Sequence, residues 1–223
     1  MNFLSHFYFD NSHKDSYHIL GILLPDLIKN ADKRWIIHPE KNQLFFTKPQ
    51  HLALFSGYQK HLAVDRIFHN SAFFKHYQHQ FKADLKHALG NSNVKLFFLS
   101  HITLELLLDH ILISQNMVNV DVLYKHLCSI DDQILDEFLI LNKIDDTIKF
   151  KQYIHRFKTE QYLYSYLELD KISYALKRIC MRIWQNPFTP EQELALTNSL
   201  LKCRIELSKE FISIFDLIES ELN

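Results

Sequence analysis

The chain has 223 residues, 47% of them hydrophobic, with a formal net charge of −1. This length can bury the core of a single domain, residues 1–223, and the near-neutral charge argues against a nucleic-acid-binding protein. Three glycines and five prolines are too few for a turn-dense β-sandwich, whereas apolar residues recur every three to four positions. The composition therefore predicts an all-α protein.

Cysteine usage and targeting signals bear on the compartment. Cys128, Cys180 and Cys203 are widely spaced and form no C-x-x-C pair, a pattern that favours a reducing environment. The first ten residues contain no Lys or Arg, and no window of about 18 uninterrupted apolar residues is present. We expect a cytoplasmic protein without a secretory signal or a membrane span.

In chain order, the first predicted helix runs from Ser16 to about residue 28, and Gly21 and Pro25 make it irregular. Residues 29–48 are predicted to form a loop that packs down as a lid, because it contains Trp35 and an apolar run. A stop is predicted at residues 90–93. The remaining predicted helices are 50–68, 71–89, 94–115, 120–130, 132–142, 145–158 and 162–184, followed by a last helix that is capped by Thr189, starts at Pro190 and ends near residue 222.

Two of these helices carry acids and imidazoles at four-residue spacing. Residues four apart on an α-helix are neighbours, and residues eight apart drift by only about 80°, so each set shares one face. The first set is His61, Asp65 and His69, and the second is His101, Glu105 and Asp109. The second helix is apolar on nearly every other side, which is typical of burial. Buried carboxylates need a cation or hydrogen bonds, so the pattern indicates either a metal site or a buried polar network.

The residue types narrow the choice of metal. Mixed imidazole and carboxylate ligands suit Mn²⁺, Zn²⁺ or Fe²⁺, and the two sets could hold one ion or two. Asp26, which follows an apolar run and Pro25, is a helix cap, an ordinary surface acid or a further ligand. The sequence has no Walker loop, no Gly-rich dinucleotide motif and no Gly-x-Ser-x-Gly elbow. Serine-nucleophile and nucleotide-cradle chemistry are therefore unsupported.

At these residues the chain resembles the acyl carrier protein phosphodiesterase family, whose members are all-helical hydrolases with an HD-domain-like orthogonal bundle. Four segments carry the resemblance: the opening residues 1–6, Gly21-Ile-Leu-Leu-Pro-Asp26, Gly57-x3-His61-x3-Asp65, and residues 102–112 around Asp109-His110. The resemblance implies Mn²⁺-dependent hydrolysis of the phosphodiester that joins 4′-phosphopantetheine to a carrier-protein serine. The half comprising 117–223 has no matching motif, so residues 1–116 are expected to carry the site.

The resemblance and the spacing together suggest roles for individual residues. Asp26, His61, Asp65 and Asp109 are expected to hold the metal, with His38 as a further candidate ligand. Glu105, His101 or His69 would complete the ligand shell or act as general base. Arg66 or His110 would contact the phosphate or the leaving oxygen.

Charge distribution suggests a partner surface. Residues 1–100 contain twelve Lys or Arg against seven Asp or Glu, which suits an acidic partner such as acyl carrier protein. The basic residues expected at the mouth of the site are Lys29, Lys33, Arg34, Lys41 and Lys60. The oligomeric state stays open.

Two alternatives remain at this stage. The Gly21–Asp26 segment, His38, and His61 with Asp65 also resemble helical zinc-dependent phospholipase C-like proteins, which hydrolyse another phosphodiester. The non-enzymatic alternative is a helical scaffold that keeps these residues as a buried polar network.

Overall fold

The computed structural model describes residues 1–90 and 92–222, and no strand occurs in that part of the chain. The predicted all-α class is confirmed, while the HD-like arrangement stays a prediction. Asn91, inside the predicted stop after Leu89, lies outside the described residues. The helices are α1 (Phe3–Tyr8), α2 (Ser16–Ala31), α3 (Pro49–Asn70), α4 (Ala72–Leu89), α5 (Leu96–Ser114), α6 (Val120–Cys128), α7 (Asp132–Leu141), α8 (Thr147–Glu160), α9 (Leu169–Cys180), α10 (Pro190–Leu207) and α11 (Ile212–Leu222).

The chain divides into two compact units, each assembled from separate segments. The first unit contains Met1–Ser5, Asp65–Met117 and Tyr164–Asn223, and the second contains His6–Val64 and Val118–Leu163. Each unit therefore draws on both halves of the sequence. Whether the whole chain behaves as the single domain expected from its length stays a prediction.

The core of the first unit is built around α5, which packs against α4, α9 and α10. Twelve of its residues are buried, among them Leu104, Leu107 and Leu108 at 0% exposure. By length and composition α5 could cross a membrane, but 67% of that apolar window is buried inside the protein. Such burial is what the core helix of a folded domain shows.

The second unit centres on α2, which packs against α6 and α8. Its Gly21 also meets Gly57 of α3 at very close range: a Cβ at Gly21 would lie 2.3 Å from the Leu54 carbonyl oxygen, and one at Gly57 would lie 2.2 Å from the His18 carbonyl oxygen. No other residue type allows this approach. Two segments of the family resemblance thus begin with the glycines that let α2 and α3 touch.

Two predicted helices prove to be divided. Residues 162–184 form a 3₁₀ segment, Tyr162–Leu167, and then α9, while residues 190–222 form α10 and α11. Apolar spacing hides the second break, because buried Leu207 and Phe211 are four residues apart as in a continuous helix. The short helix α1 was not predicted, and α2 continues through Pro25 to Ala31.

The predicted lid, residues 29–48, is anchored at a few points. Phe46 is buried against Phe55 and Phe138, with ring centroids 5.5 and 5.1 Å away. Tyr58 donates its hydroxyl to the Ile37 carbonyl at 3.3 Å. Between these anchors the chain forms two 3₁₀ turns, Pro39–Lys41 and Gln43–Phe45. Three apolar residues of this segment stay exposed: Ile36, Leu44 and Phe45.

Candidate metal centre

Three of the predicted residues converge in the first unit. His101 and Glu105 lie one turn apart on α5, and His69 lies near the end of α3. His69 Nε2 is 3.1 Å from His101 Nε2 and 3.4 Å from Glu105 Oε1, and His101 Nε2 is 3.1 Å from the same carboxylate oxygen. We call this group the α3–α5 cluster. Its three donor atoms form a small triangle.

The dimensions of the α3–α5 cluster fit a divalent ion. In a tetrahedral site with bonds of about 2.0–2.1 Å, neighbouring donor atoms lie about 3.3 Å apart. The observed separations of 3.1–3.4 Å bracket that value. The donor set of two imidazoles and one carboxylate is also one that Zn²⁺, Mn²⁺ and Fe²⁺ accept. The residues present therefore fit the metal that the sequence predicts.

Both imidazoles are held in orientation by neighbours. His69 donates its Nδ1–H to the Asp65 carbonyl oxygen at 2.8 Å, so its Nε2 faces Glu105. The hydrogen bond from Nδ1 keeps the proton of His69 on that nitrogen, so Nε2 has the free lone pair that a metal ligand needs. The ring of Phe74 lies edge-on to both His69 and His101, at centroid distances of 4.9 and 5.0 Å. No pattern in the sequence points to Phe74.

Glu105 is ionised at neutral pH. Burial tends to raise its pKa, but the positive amino group of Met1 and the neighbouring imidazoles of His101 and His69 outweigh burial, so its pKa lies well below the usual value. The Met1 nitrogen is 3.2 Å from Glu105 Oε1 and 2.6 Å from Asp65 Oδ1. Asp65 and Glu105 thus both lie against a cation in this structure, as carboxylates of a metal site would.

The site remains in contact with solvent. The side chains of His69 and His101 are 32% and 30% exposed, that of Asp65 is 30% exposed, and that of Glu105 is 17% exposed. A closed structural site would hide its donors, whereas a catalytic site needs access for water and substrate.

Asp109, the last residue of the second predicted set, has different partners. Its Oδ1 accepts hydrogen bonds from the Ser5 backbone N–H and hydroxyl at 2.7 and 2.6 Å, and its Oδ2 accepts from Leu4 N and Asn2 Nδ2 at 3.0 and 2.9 Å. Complete burial raises its pKa to about 7, although these bonds act in the opposite direction. Asp109 therefore fastens the opening segment to α5. The only sequence signal for this role was the resemblance over residues 1–6.

Three predicted ligands belong to the second unit. His61 is 2% exposed, donates its Nδ1–H to the Ile22 carbonyl oxygen at 2.7 Å and stacks on the ring of His6 at 3.8 Å. Asp26 is half-buried on α2. His38 is 54% exposed and lies 3.1 Å from Glu40. Their roles as metal ligands stay predictions.

The two predicted phosphate contacts lie in contrasting surroundings. His110 is 4% exposed and donates its Nδ1–H to the Tyr166 carbonyl oxygen at 2.7 Å, and burial lowers its pKa. Arg66 lies on the exposed side of α3 and forms no ion pair with any described residue. Arg66 is the more accessible of the two.

Arg34 and Lys60, which are predicted partner-binding cations, each lie beside an acidic residue. Arg34 Nη2 lies 2.6 Å from Asp32 Oδ2, although its side chain is 84% exposed. Lys60 Nζ lies 2.8 Å from Asp10 Oδ1. Lys29 and Lys33 are exposed.

The fold is all-α, and two imidazoles and a carboxylate meet where solvent can reach them. The protein is therefore a helical protein with a candidate site for a divalent metal ion. The family model for acyl carrier protein phosphodiesterase matches residues 1–218, and the chain belongs to that family. The match supports phosphodiesterase activity and extends through the half of the sequence that showed no motif. No curated protein and no solved structure matches the chain.

Proposed function

We propose that this protein is a metal-dependent phosphodiesterase that releases 4′-phosphopantetheine from holo-acyl carrier protein. The observation that carries the proposal is the α3–α5 cluster, His69, His101 and Glu105, whose donor atoms lie 3.1–3.4 Å apart. It occurs in a chain that the phosphodiesterase family matches almost throughout.

The α3–α5 cluster would hold the divalent ion, with Asp65 beside it. We favour Mn²⁺, with Zn²⁺ or Fe²⁺ as alternatives that the same donors accept. Such an ion makes a bound water molecule more acidic and offsets negative charge on phosphoryl oxygens. Asp26, His38 and His61, which belong to the second unit, are also proposed as metal ligands.

The chain's own residues serve binding and proton transfer. Arg66 directly follows Asp65 on α3, and its guanidinium, which has no acidic partner among the described residues, is available for the phosphate oxygens. Hydrolysis forms a bond from the water oxygen to phosphorus and breaks the bond from phosphorus to the serine oxygen. Glu105, His101 or His69, whichever does not bind the ion, would accept the proton that the water loses and return it to the serine oxygen, which leaves as a hydroxyl group.

The exposure of the α3–α5 cluster favours the enzyme over the scaffold. A scaffold that kept these residues as a polar network could bury them fully, whereas about 30% of each imidazole reaches solvent. Glu105 is also kept ionised, which a metal ligand requires.

The second unit offers a surface for the acidic carrier protein. Lys33 and Arg34 precede the exposed residues Ile36, Leu44 and Phe45, so positive charge and apolar surface occur in one segment. Such a mixture suits a partner helix with acidic and apolar side chains. Cys128, Cys180 and Cys203 are free thiols, in line with the cytoplasmic location that we also propose.

The decisive test compares wild type with Glu105→Gln. We expect purified wild type to bind Mn²⁺ and to convert holo-acyl carrier protein to the apo form, seen as a mass loss. Glu105→Gln removes one charged donor at constant size, so we expect its metal affinity to fall about 10- to 100-fold, with activity falling at least as much.

Glu160→Gln at the exposed end of α8 is the control and should match wild type in both assays. Metal binding without release of phosphopantetheine would retain the hydrolase and reject this substrate. Equal metal content in wild type and Glu105→Gln would reject the α3–α5 cluster as the metal site.

A further inference from the structure

A cleft in the first unit lies on the next face of α3 from the candidate metal centre. It has a volume of about 310 Å³ and is lined by Arg66, Ile67, Asn70, Ser71, Leu217 and Glu221. Consecutive residues of an α-helix are turned by about 100° and rise by only 1.5 Å. Arg66 and Asn70, which directly follow Asp65 and His69, therefore stand beside the residues of the proposed centre at the same height along the helix.

The lining combines the positive charge of Arg66, the negative charge of Glu221 and an apolar surface. Arg66 has no acidic partner among the described residues, and Asn70 donates its Nδ2–H to the Arg66 carbonyl oxygen at 2.8 Å, which leaves its amide oxygen and second N–H for other partners. Ile67 and Leu217 supply the apolar surface, with Leu217 37% exposed on α11. A concave site that sets a few polar groups beside apolar side chains can hold a small ligand.

Ser71 shapes this cleft but has its hydrogen-bonding capacity engaged by the protein. Its hydroxyl donates to the Phe68 carbonyl oxygen at 2.6 Å and accepts from Phe74 N at 3.0 Å, which caps α4. The polar groups left for a ligand are therefore those of Arg66, Asn70 and the exposed Glu221.

We propose that this cleft binds the pantoyl portion of the 4′-phosphopantetheine arm, and so selects phosphodiesters that carry this arm. The inference rests on the proposed function and deepens it. The pantoyl portion carries a phosphate at one end, then a dimethyl-substituted carbon, a hydroxyl and an amide. In the cleft, Arg66 contacts the phosphate, Ile67 and Leu217 pack against the methyl groups, and Asn70 bonds to the hydroxyl or the amide.

Leu217→Trp tests the cleft by filling it, and Ile212→Trp is a matched control. Both residues are 37% exposed on α11, and among the described residues Ile212 is not part of the lining. With Mn²⁺ present, we expect Leu217→Trp to raise KM for holo-acyl carrier protein at least about tenfold and to weaken binding of free 4′-phosphopantetheine in calorimetry by a similar factor. Hydrolysis of bis(4-nitrophenyl) phosphate, which lacks the arm, should stay within about twofold. Ile212→Trp should match wild type throughout.

Asn70→Asp provides a second variant at an exposed position, in case the tryptophan disturbs folding. Its added negative charge beside the phosphate should also weaken binding of free 4′-phosphopantetheine, by about fivefold or more. Wild-type KM and arm binding in both variants would overturn the inference and leave the proposed function intact. Arm binding that depends on Leu217, in a protein that does not cleave holo-acyl carrier protein, would support the cleft and reject the proposed function. Failure of wild type to bind free 4′-phosphopantetheine would reject the cleft.

Discussion

Lys60 lies in a polar cluster of the second unit that is built around Asp10. The Asp10 carboxylate is 6% exposed and lies 2.8 Å from Lys60 Nζ and 3.4 Å from His18 Nε2. Burial tends to raise the pKa of Asp10, but the nearby His18 imidazole and the Lys60 ammonium outweigh burial and lower the pKa below the usual value. Asp10 Oδ2 is buried without a hydrogen bond, so this carboxylate depends on the cation beside its other oxygen.

We therefore expect Lys60→Met to reduce stability more than it reduces partner binding. Removing the cation leaves a buried carboxylate poorly compensated, at a cost of about 2–4 kcal/mol, measured as the free energy of unfolding in urea at pH 7. Because the pKa of Asp10 is lowered in the folded state, this loss should be full above about pH 4 and should shrink as Asp10 becomes protonated at lower pH.

Lys29→Met, at an exposed position on α2, is the control for Lys60→Met and should change stability by less than about 0.5 kcal/mol. If Lys29 contributes to docking, its loss should raise KM for holo-acyl carrier protein, more at low salt than at high salt. If the Lys60→Met protein were as stable as wild type but had a raised KM, Lys60 would contribute to partner binding and not to stability.

The sequence does not distinguish these lysines from one another, because it shows their charge but not their neighbours in the fold. Lys60 and Asp10 are 50 residues apart, and nothing in the local pattern joins them. The same limit explains His51, which follows Lys48 and Pro49 in a polar stretch yet is only 3% exposed. For single residues, the charge of a side chain could be read from the sequence, but the residues that it contacts in the fold could not.

At the scale of helices, the four-residue spacing was informative. Since α3 and α5 are continuous over the two sets, each set does occupy one face of a helix, as predicted. The spacing did not reveal what each face meets: Glu105 contacts two imidazoles, whereas Asp109, one turn later, binds the opening segment. The spacing of residues determines which face of a helix they share, but the tertiary fold determines what this face contacts.

Gly57 is the residue through which α3 approaches α2. A Cβ there would lie 2.2 Å from the His18 carbonyl oxygen and 2.8 Å from Ile22 N, both of them backbone atoms. We expect Gly57→Ala to push the helices apart and lower the free energy of unfolding by about 1–3 kcal/mol or more, despite the better helix propensity of alanine. Since His61 bonds to the Ile22 carbonyl across this contact, activity should fall as well.

Ser56→Ala, at the exposed position just before Gly57 on α3, is the matched control and should stay within about 0.5 kcal/mol of wild type in urea unfolding. An unchanged or higher stability of Gly57→Ala would show that α2 and α3 do not depend on the close approach.

For the molecule as a whole, composition predicted the fold class because few glycines and prolines and a three-to-four-residue apolar period leave helices as the main option. The grouping of segments into two units was not predictable, since each unit joins stretches far apart in the chain. Stability of the whole chain also depends on buried histidines from both units. Burial lowers the pKa of His51 and of His110, which are 3% and 4% exposed.

These two imidazoles remain neutral in the folded chain at pH values where the unfolded chain binds protons. Their lowered pKa values mean that their contribution to stability is full above about pH 6.5 and is lost as the pH falls through the folded-state values. Asp109, whose pKa is raised to about 7, has the opposite dependence in part of this range. The contribution of one histidine to the pH dependence of stability is therefore isolated by comparing wild type with a variant that lacks this histidine.

His51→Phe isolates the contribution of His51. The ring of His51 lies near Phe46 and Phe138, with centroids 6.2 and 6.1 Å away, so phenylalanine suits the site. We expect the free energy of unfolding of wild type, relative to His51→Phe, to fall by up to about 1.4 kcal/mol per pH unit between pH 6.5 and 5. A pH-independent difference for His51→Phe would mean that His51 takes up its proton as readily in the folded chain as in the unfolded one.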